Sequence, residues 1–292
     1  MVVHHPVLVE EVVRALDLKE GAVVLDATAG LGGHAEAMLE RIGPRGRLIA
    51  MDRDAEALEQ ARIRLKRFGD QVEWMHGPFG DLNRMLAEHG IDRLDAALFD
   101  LGVSSLQLEE GRRGFSFQRE GPLDMRMNPE DSITAADLVN RLSQGELQKM
   151  LQDLGQERWA GRIARAILRT RPIFTTGRLA DVVGQAVPGS ARHGRIHPAT
   201  RTFQALRIAV NHELEQLPEG LAQAADRLNR GGRVAVLAYH SLEDRIVKVY
   251  FRDQAKAGVL RVLTRKPLKP SLEEVQRNPR SRSACLRAAE RL

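Results

Sequence analysis

The chain has almost no cysteine: one residue, Cys285, in 292. An internal disulfide and a cysteine-built zinc site are thereby excluded, and a reducing compartment, the cytoplasm, is expected. No apolar run approaches the ~18 residues that a membrane-spanning helix needs. The opening MVVHHPVLVEE has neither a basic start nor a long apolar stretch, so no signal peptide is expected. Internal repeats and low-complexity segments are also missing. His4 and His5 are adjacent, but no acid or cysteine follows at the spacing of a metal site, so no metal is expected. What remains is ordinary globular composition, 43% hydrophobic and 28% charged, with a length that suits one large or two ordinary domains.

Charge is spread unevenly. The formal net charge is +5, yet residues 261–292 alone hold nine Lys or Arg against three acids. Residues 108–199 hold fourteen against eleven, and the remainder is mildly acidic. Basic regions around an acidic core fit a polyanionic partner, though an Arg-rich composition (37 Arg to 7 Lys) and solvated tails give the same balance.

Strand and helix alternate at first. AVVLDA (22–27), RLIAMD (47–52), QVEWMH (71–76) and LDAALFD (94–100) read as buried strands, separated by helical patterns at 33–42, 55–68 and 81–90. That order predicts an α/β fold, a parallel sheet with helices on both faces. The next strand, RVAVLAY, begins only at residue 233, after a gap far longer than such a sheet needs. The gap reads as helical over 133–142, 144–154, 157–169 and 176–187. The spacing therefore predicts a helical domain, residues 108–199, inserted into a sheet domain of 1–107 and 200–292. Residues 200–214 are expected to form a helix returning to the sheet. Strands at 259–264 and 283–290 are expected to complete it.

Asp26-Ala-Thr-Ala-Gly30-Leu-Gly32-Gly33 joins the first strand to its helix. Glycines there let backbone approach a ligand at a helix N-terminus. Asp52 ends the second strand, where a carboxylate reaches both hydroxyls of an adenosine ribose. Loop, strand and acid together predict a nucleotide-type ligand. The third glycine follows the second directly, unlike a dinucleotide loop, and Asp26 offers an acceptor for an ammonium. S-adenosylmethionine fits that pattern. Phe79, after the third strand, has two readings, an adenine contact or plain core. Asp100 ends the fourth strand at the same ligand-bearing edge, either as a site residue or as a turn cap.

Several segments, spread over residues 4–290, carry a resemblance. HHPVLVEEVV, DATAGLGGHA, DLGVSSLQLE, GPLDMRMN, HPATRTFQALRI, YHSLEDR and NPRSRSACLRAAE are similar to the RsmH (MraW) family, bacterial methyltransferases acting on a cytosine of small-subunit ribosomal RNA. Leu106 and Cys285 depart from it, standing where the family often has Pro and Lys. The resemblance implies a class I, Rossmann-like methyltransferase sheet with an all-helical insertion. It implies S-adenosylmethionine as methyl donor and N4 of a cytosine near the ribosomal P site as acceptor. The implied partner is 16S rRNA, within the 30S subunit or a late assembly intermediate. Oligomeric state stays open, a homodimer included.

Carried over residue by residue, cofactor contacts fall on Gly32, Gly33, His34, Asp52, Phe79, Asp100 and Gln107, with Gly30 in the same loop. Asp100 is the first catalytic candidate, as an acceptor for the amine. The acceptor base must leave its stack. Tyr239, Phe115 and Phe117 are stacking candidates, and aromatics beside strands are also often core. Tyr239 and His240 follow the fifth strand at the ligand-bearing edge, and Glu243 there is either a site residue or a helix cap. Arg192, Arg195 and Arg201, grouped with His193 and His197, are expected to face RNA. Two other classes compete: a nicotinamide-dependent oxidoreductase, disfavoured by the close glycines, and a non-catalytic RNA-binding factor.

Overall fold

A computed structural model gives the fold and describes residues 6–192 and 197–292, the side chains of Ala191 and Arg192 excepted. His4, His5, His193 and Arg195 lie outside the described residues. The chain divides into two compact units, one of residues 1–102 and 214–292, the other Val103–Glu213.

The sheet unit opens with α1 (Val9–Leu16), β1 (Val23–Asp26), α2 (Gly33–Ile42) and β2 (Arg47–Asp52). It continues through α3 (Ala55–Leu65), β3 (Val72–His76), α4 (Leu82–Glu88) and β4 (Leu94–Asp100). The helical unit follows with α5 (Ser105–Glu109), α6 (Ala135–Arg141), α7 (Gln144–Asp153) and α8 (Ala160–Thr170). Then come α9 (Thr176–Ala186), α10 (Gly189–Arg192) and α11 (Thr200–Asn211). The chain re-enters the sheet unit along α12 (Glu213–Arg227), β5 (Leu228–Ala238) and α13 (Ser241–Lys256). It ends with β6 (Leu260–Val262), α14 (Leu272–Arg277) and β7 (Cys285–Arg291).

The strand order is β3-β2-β1-β4-β5-β7-β6. β1 to β5 are parallel, and β7 runs antiparallel to both neighbours. This is the class I methyltransferase sheet. Its strands are apolar on consecutive residues because both faces are covered. Leu25, Ile49, Phe99 and Val236 face α4, α12 and α13, whereas Val24, Leu48, Leu98 and Leu237 face α1, α2 and α3. Helix starts are set locally: Asp54 caps α3, its Oδ1 accepting from Glu56 N at 3.1 Å and Ala57 N at 3.4 Å.

The helical unit has its own core, built on Val139, Leu147, Ile163, Ile167, Leu179 and Phe203. The helix expected to return to the sheet at 200–214 belongs here instead. α11 packs against α6 and α7 and carries Phe203, Leu206 and Val210 into the helical core. Its apolar face could serve either core, and periodicity does not say which. The helical unit thus takes in residues on both sides of the expected 108–199. Among the described residues no helix is long and apolar enough to cross a membrane.

Candidate active site

Three carboxylates end three neighbouring strands: Asp26 on β1, Asp52 on β2 and Asp100 on β4. The glycine loop crosses above them and is pinned from below. Ala29 N donates to Met51 O at 2.8 Å, and Gly30 N donates to Asp52 Oδ2 at 2.8 Å. Asp54 N donates to the other oxygen, Oδ1, at 2.9 Å. Burial still dominates, and pushes the Asp52 pKa up to about 6.

Gly32 has φ +77° and is the N-cap of α2, and a Cβ there would lie 3.3 Å from the Cβ of Ala61. A Cβ on Gly33 would come within 2.9 Å of Pro6. Both glycines are therefore required by packing as well as by any ligand.

Asp26 is 1% exposed. Its Oδ1 accepts from Thr28 N at 3.2 Å, while Oδ2 is buried with no hydrogen-bond partner. Desolvation raises its pKa to about 7, against the pull of His34. An orphaned buried carboxylate oxygen is costly, and an incoming donor, above all a cation, would relieve it.

Asp100 is held from three sides. Its backbone N–H donates to Thr28 Oγ1 at 2.6 Å. Tyr239 Oη donates to Oδ1 at 2.8 Å. His34 Nε2 lies 3.4 Å from Oδ2, an ion-pair approach without hydrogen-bond alignment. Burial of His34 works against its imidazolium, but Asp100 and Asp26 outweigh burial and Arg64, and the pKa rises above the ordinary histidine range. Burial raises the Tyr239 pKa well above the phenol range, reinforced by Asp100, Glu243 and Glu274. Tyr239 is thus a neutral donor at any ordinary pH.

Other expected residues have different local partners. His240 is the N-cap of α13, with Glu243 N donating to its Nδ1 at 3.3 Å. Glu243 Oε2 returns the contact, accepting from Tyr239 N at 2.8 Å and His240 N at 3.3 Å. The pair closes a capping box that fixes where Tyr239 leaves β5. Phe79 packs edge-on to Phe99, ring centres 5.6 Å apart, and against Gly220. In the helical unit, Gln107 and Ser104 form the capping box of α5. Phe115 is buried in the helical core, not exposed for stacking. Phe117 stacks on His197 at 4.5 Å. Arg201 Nη1 donates to Gln156 O at 3.1 Å.

Sequence reading did not single out Thr28 or Asn211. Thr28 carries a usable signal, a hydroxyl two residues after Asp26. Asn211 has none. It is fully buried and ties the GPLDMRMN segment down, accepting from Met127 N and donating to Met125 O, each at 2.8 Å. Among the described residues no group of three or more His, Cys, Asp or Glu is placed to hold a metal ion.

The family model described as the MraW methylase family matches residues 1–292. The chain belongs to that family. Similar curated proteins bear the name ribosomal RNA small subunit methyltransferase H. That of Pelobacter propionicus is 52% identical over 308 residues, covering 99% of this chain and 98% of its own. That of Trichlorobacter lovleyi is 50% identical over 307 residues with the same coverage. That of Heliobacterium modesticaldum is 45% identical over 312 residues and covers both chains completely, at 100% each. This member of the methylase family therefore holds its three strand-end carboxylates on a methyltransferase sheet.

Proposed function

We propose that the chain transfers a methyl group from S-adenosylmethionine to N4 of a cytosine of small-subunit ribosomal RNA, near the ribosomal P site. The supporting observation is Asp100, clamped by Thr28, Tyr239 and His34 at the strand edge of a methylase whose named relatives act on that RNA. The cofactor pocket fits the residues present. The orphaned Asp26 oxygen suits the ammonium of the methionine moiety, the Asp52 carboxylate keeps lone pairs for ribose hydroxyls, and the loop Gly30–Gly33 leaves room along the backbone. His34 contributes charge beside Asp100, and the half-buried Phe79 ring, just after β3, suits adenine. When bound, S-adenosylmethionine supplies an electrophilic methyl group.

The chain's own task is to prepare the acceptor. The exocyclic amine of cytosine is a poor nucleophile because its lone pair is delocalised into the ring. An acceptor for its N–H favours the pyramidal nitrogen that can attack, provided it is held in place beforehand. Asp100 has that fixity, and each oxygen retains a lone pair beside its existing contact. The amine then sheds one proton, to Asp100 or to water. Tyr239 positions Asp100, and His240 acts through the cap of α13.

The helical unit takes the role of RNA recognition in this reading. It starts three residues after Asp100, and Arg dominates its basic residues. Arg192, Arg195 and Arg201 are its proposed phosphate contacts, since guanidinium forks onto phosphate. The deciding experiment is labelled methyl transfer onto 30S subunits from cells lacking this activity, followed by nucleoside analysis. Label in N4-methylcytidine is expected. Label in another nucleoside, or in protein, overturns the assignment.

A further inference from the structure

The cations of the most basic stretch of the sheet unit have no part in the site described. Residues 263–284 contain six Lys or Arg and two acids. The antiparallel pair β6–β7 determines where they lie. β6 ends at Val262 opposite Ala289, and β7 begins at Cys285 opposite Ala238, the residue before Tyr239. The chain therefore leaves β6 toward the edge that bears Asp100 and Tyr239 and returns from that same edge. It is anchored on the way. Leu268 and Leu286 exchange both backbone hydrogen bonds, at 3.0 and 2.9 Å. Glu274 Oε1 accepts from Leu8 N at 2.7 Å. Ala284 is buried in the core cluster on which Tyr239 packs. The stretch is a strap along the rim of the catalytic edge.

The strap's acids are already engaged, Glu274 by Leu8 and Glu273 by Arg277 at 3.5 Å. Four of its cations are not. Arg265, Lys266, Lys269 and Arg282 are exposed, and among the described residues no carboxylate pairs with them. Some exposed arginines elsewhere in the sheet unit have acids, as Arg45 has Glu20 and Arg84 has Asp81, and others, such as Arg41 and Arg230, have none among the described residues; what sets the strap apart is that its unpaired cations lie at this edge. The placement has an electrostatic consequence. Asp26, Asp52 and Asp100 make the centre of this edge acidic, and an acidic centre repels a polyanion. A nucleic acid can present a base to it only if cations at the rim hold the flanking phosphates.

We infer that the strap of residues 263–284 is a phosphate-binding surface for the RNA strand flanking the target base, with Arg265, Lys266, Lys269 and Arg282 as its contacts. The inference rests on the proposed function and adds to it a second RNA surface, on the sheet unit and apart from the helical one. Such contacts position the strand and carry no sequence preference.

The test uses the full chain and a transcript of small-subunit ribosomal RNA, with affinity measured across a salt series. One variant combines Arg265→Gln, Lys266→Gln, Lys269→Gln and Arg282→Gln. A control combines Lys19→Gln, Arg45→Gln, Arg93→Gln and Arg230→Gln, which removes the same charge from the opposite edge of the sheet. For two to four lost contacts at roughly 0.7 each, the strap variant's salt slope should fall by about 1.4–2.8. Its affinity near physiological salt should fall roughly tenfold or more, while the control stays within about twofold. S-adenosylhomocysteine affinity, unchanged in both, shows that they fold. Equal losses in strap and control variants would mean a general field effect and overturn the inference, as would an unchanged slope. Wild-type protein that fails to bind the transcript at low salt would also overturn the inference, whereas failure of the proposed function beneath it is read separately, from the absence of N4-methylcytidine in the 30S assay.

Discussion

The two units treat buried polar groups in opposite ways. In the helical unit they are matched. Asn211 satisfies Met127 N and Met125 O, Arg113 donates to the carbonyls of Arg126 and Met127, and Asp124 is paired with Arg126 at 2.7 Å. Among the described residues its buried orphan besides the ion-paired Glu110 is a neutral hydroxyl, on Thr202. In the sheet unit the orphans include titratable atoms, on Asp26 and His34, gathered at one strand edge. A buried carboxylate oxygen without a partner costs stability, and such strained groups cluster at functional sites. On the proposed function, the difference separates a unit finished on folding from one finished on binding.

The sharpest way to break this contrast is to remove the cost. Asp26 has a folded pKa of about 7 against an ordinary 3.8. A raised carboxyl pKa stabilises the fold below the unfolded value, and that contribution is lost as pH rises through the folded value. The apo protein should therefore lose about 4 kcal/mol from this group between about pH 4 and 7. Asp26→Asn does not titrate, so its stability relative to wild type should climb by a comparable amount from pH 4 to 8, as read by denaturant unfolding. The same variant should bind S-adenosylmethionine more weakly. A stability difference independent of pH would mean that Asp26 is not strained in the free protein.

Next comes Asp100, the proposed amine acceptor. Asp100→Asn keeps an oxygen for Tyr239 and removes the charge, so methyl transfer at saturating cofactor should fall about 100-fold or more, ~2.7 kcal/mol in the barrier. Full rescue by added cofactor would make Asp100 a binding group only. The helical unit supplies the opposite kind of substitution. Asn211→Ala orphans the groups it satisfied and should cost about 2–3 kcal/mol, with a pH-independent loss. A pH-dependent loss there would erase the contrast between the units.

The sheet was largely legible because its signals are local. β2 and β4 match RLIAMD and LDAALFD residue for residue, and α2 begins and ends at Gly33 and Ile42 as expected. α11 was legible as a helix but not in its allegiance, since its apolar face does not name the core it joins. The same limit holds at the site. Asp26, Asp52 and Asp100 are visible in sequence because strand ends can be counted. That Tyr239 binds Asp100 across 139 residues, that His240 caps a helix, and that Phe115 is core are facts of contact. Spacing cannot supply them.

The smallest expected effect tests that long-range contact. Tyr239→Phe removes one hydrogen bond to Asp100 and leaves the ring packed, so stability should change by only about 1 kcal/mol. Cofactor affinity should stay close to wild type, because Tyr239 touches Asp100 rather than the glycine loop. Turnover should fall about tenfold, since Asp100 then depends on His34 for its orientation. The pH profile makes the distinction. His34 has a raised pKa and assists Asp100 only while protonated, so its support is present at low pH and lost as pH rises through that value. In wild type the Tyr239 phenol, neutral throughout, masks this loss. In Tyr239→Phe nothing masks it, and turnover should drop on the alkaline side at a lower pH than in wild type. A variant slowed equally at every pH would assign Tyr239 to packing alone, and a variant with normal turnover would remove the clamp from the mechanism.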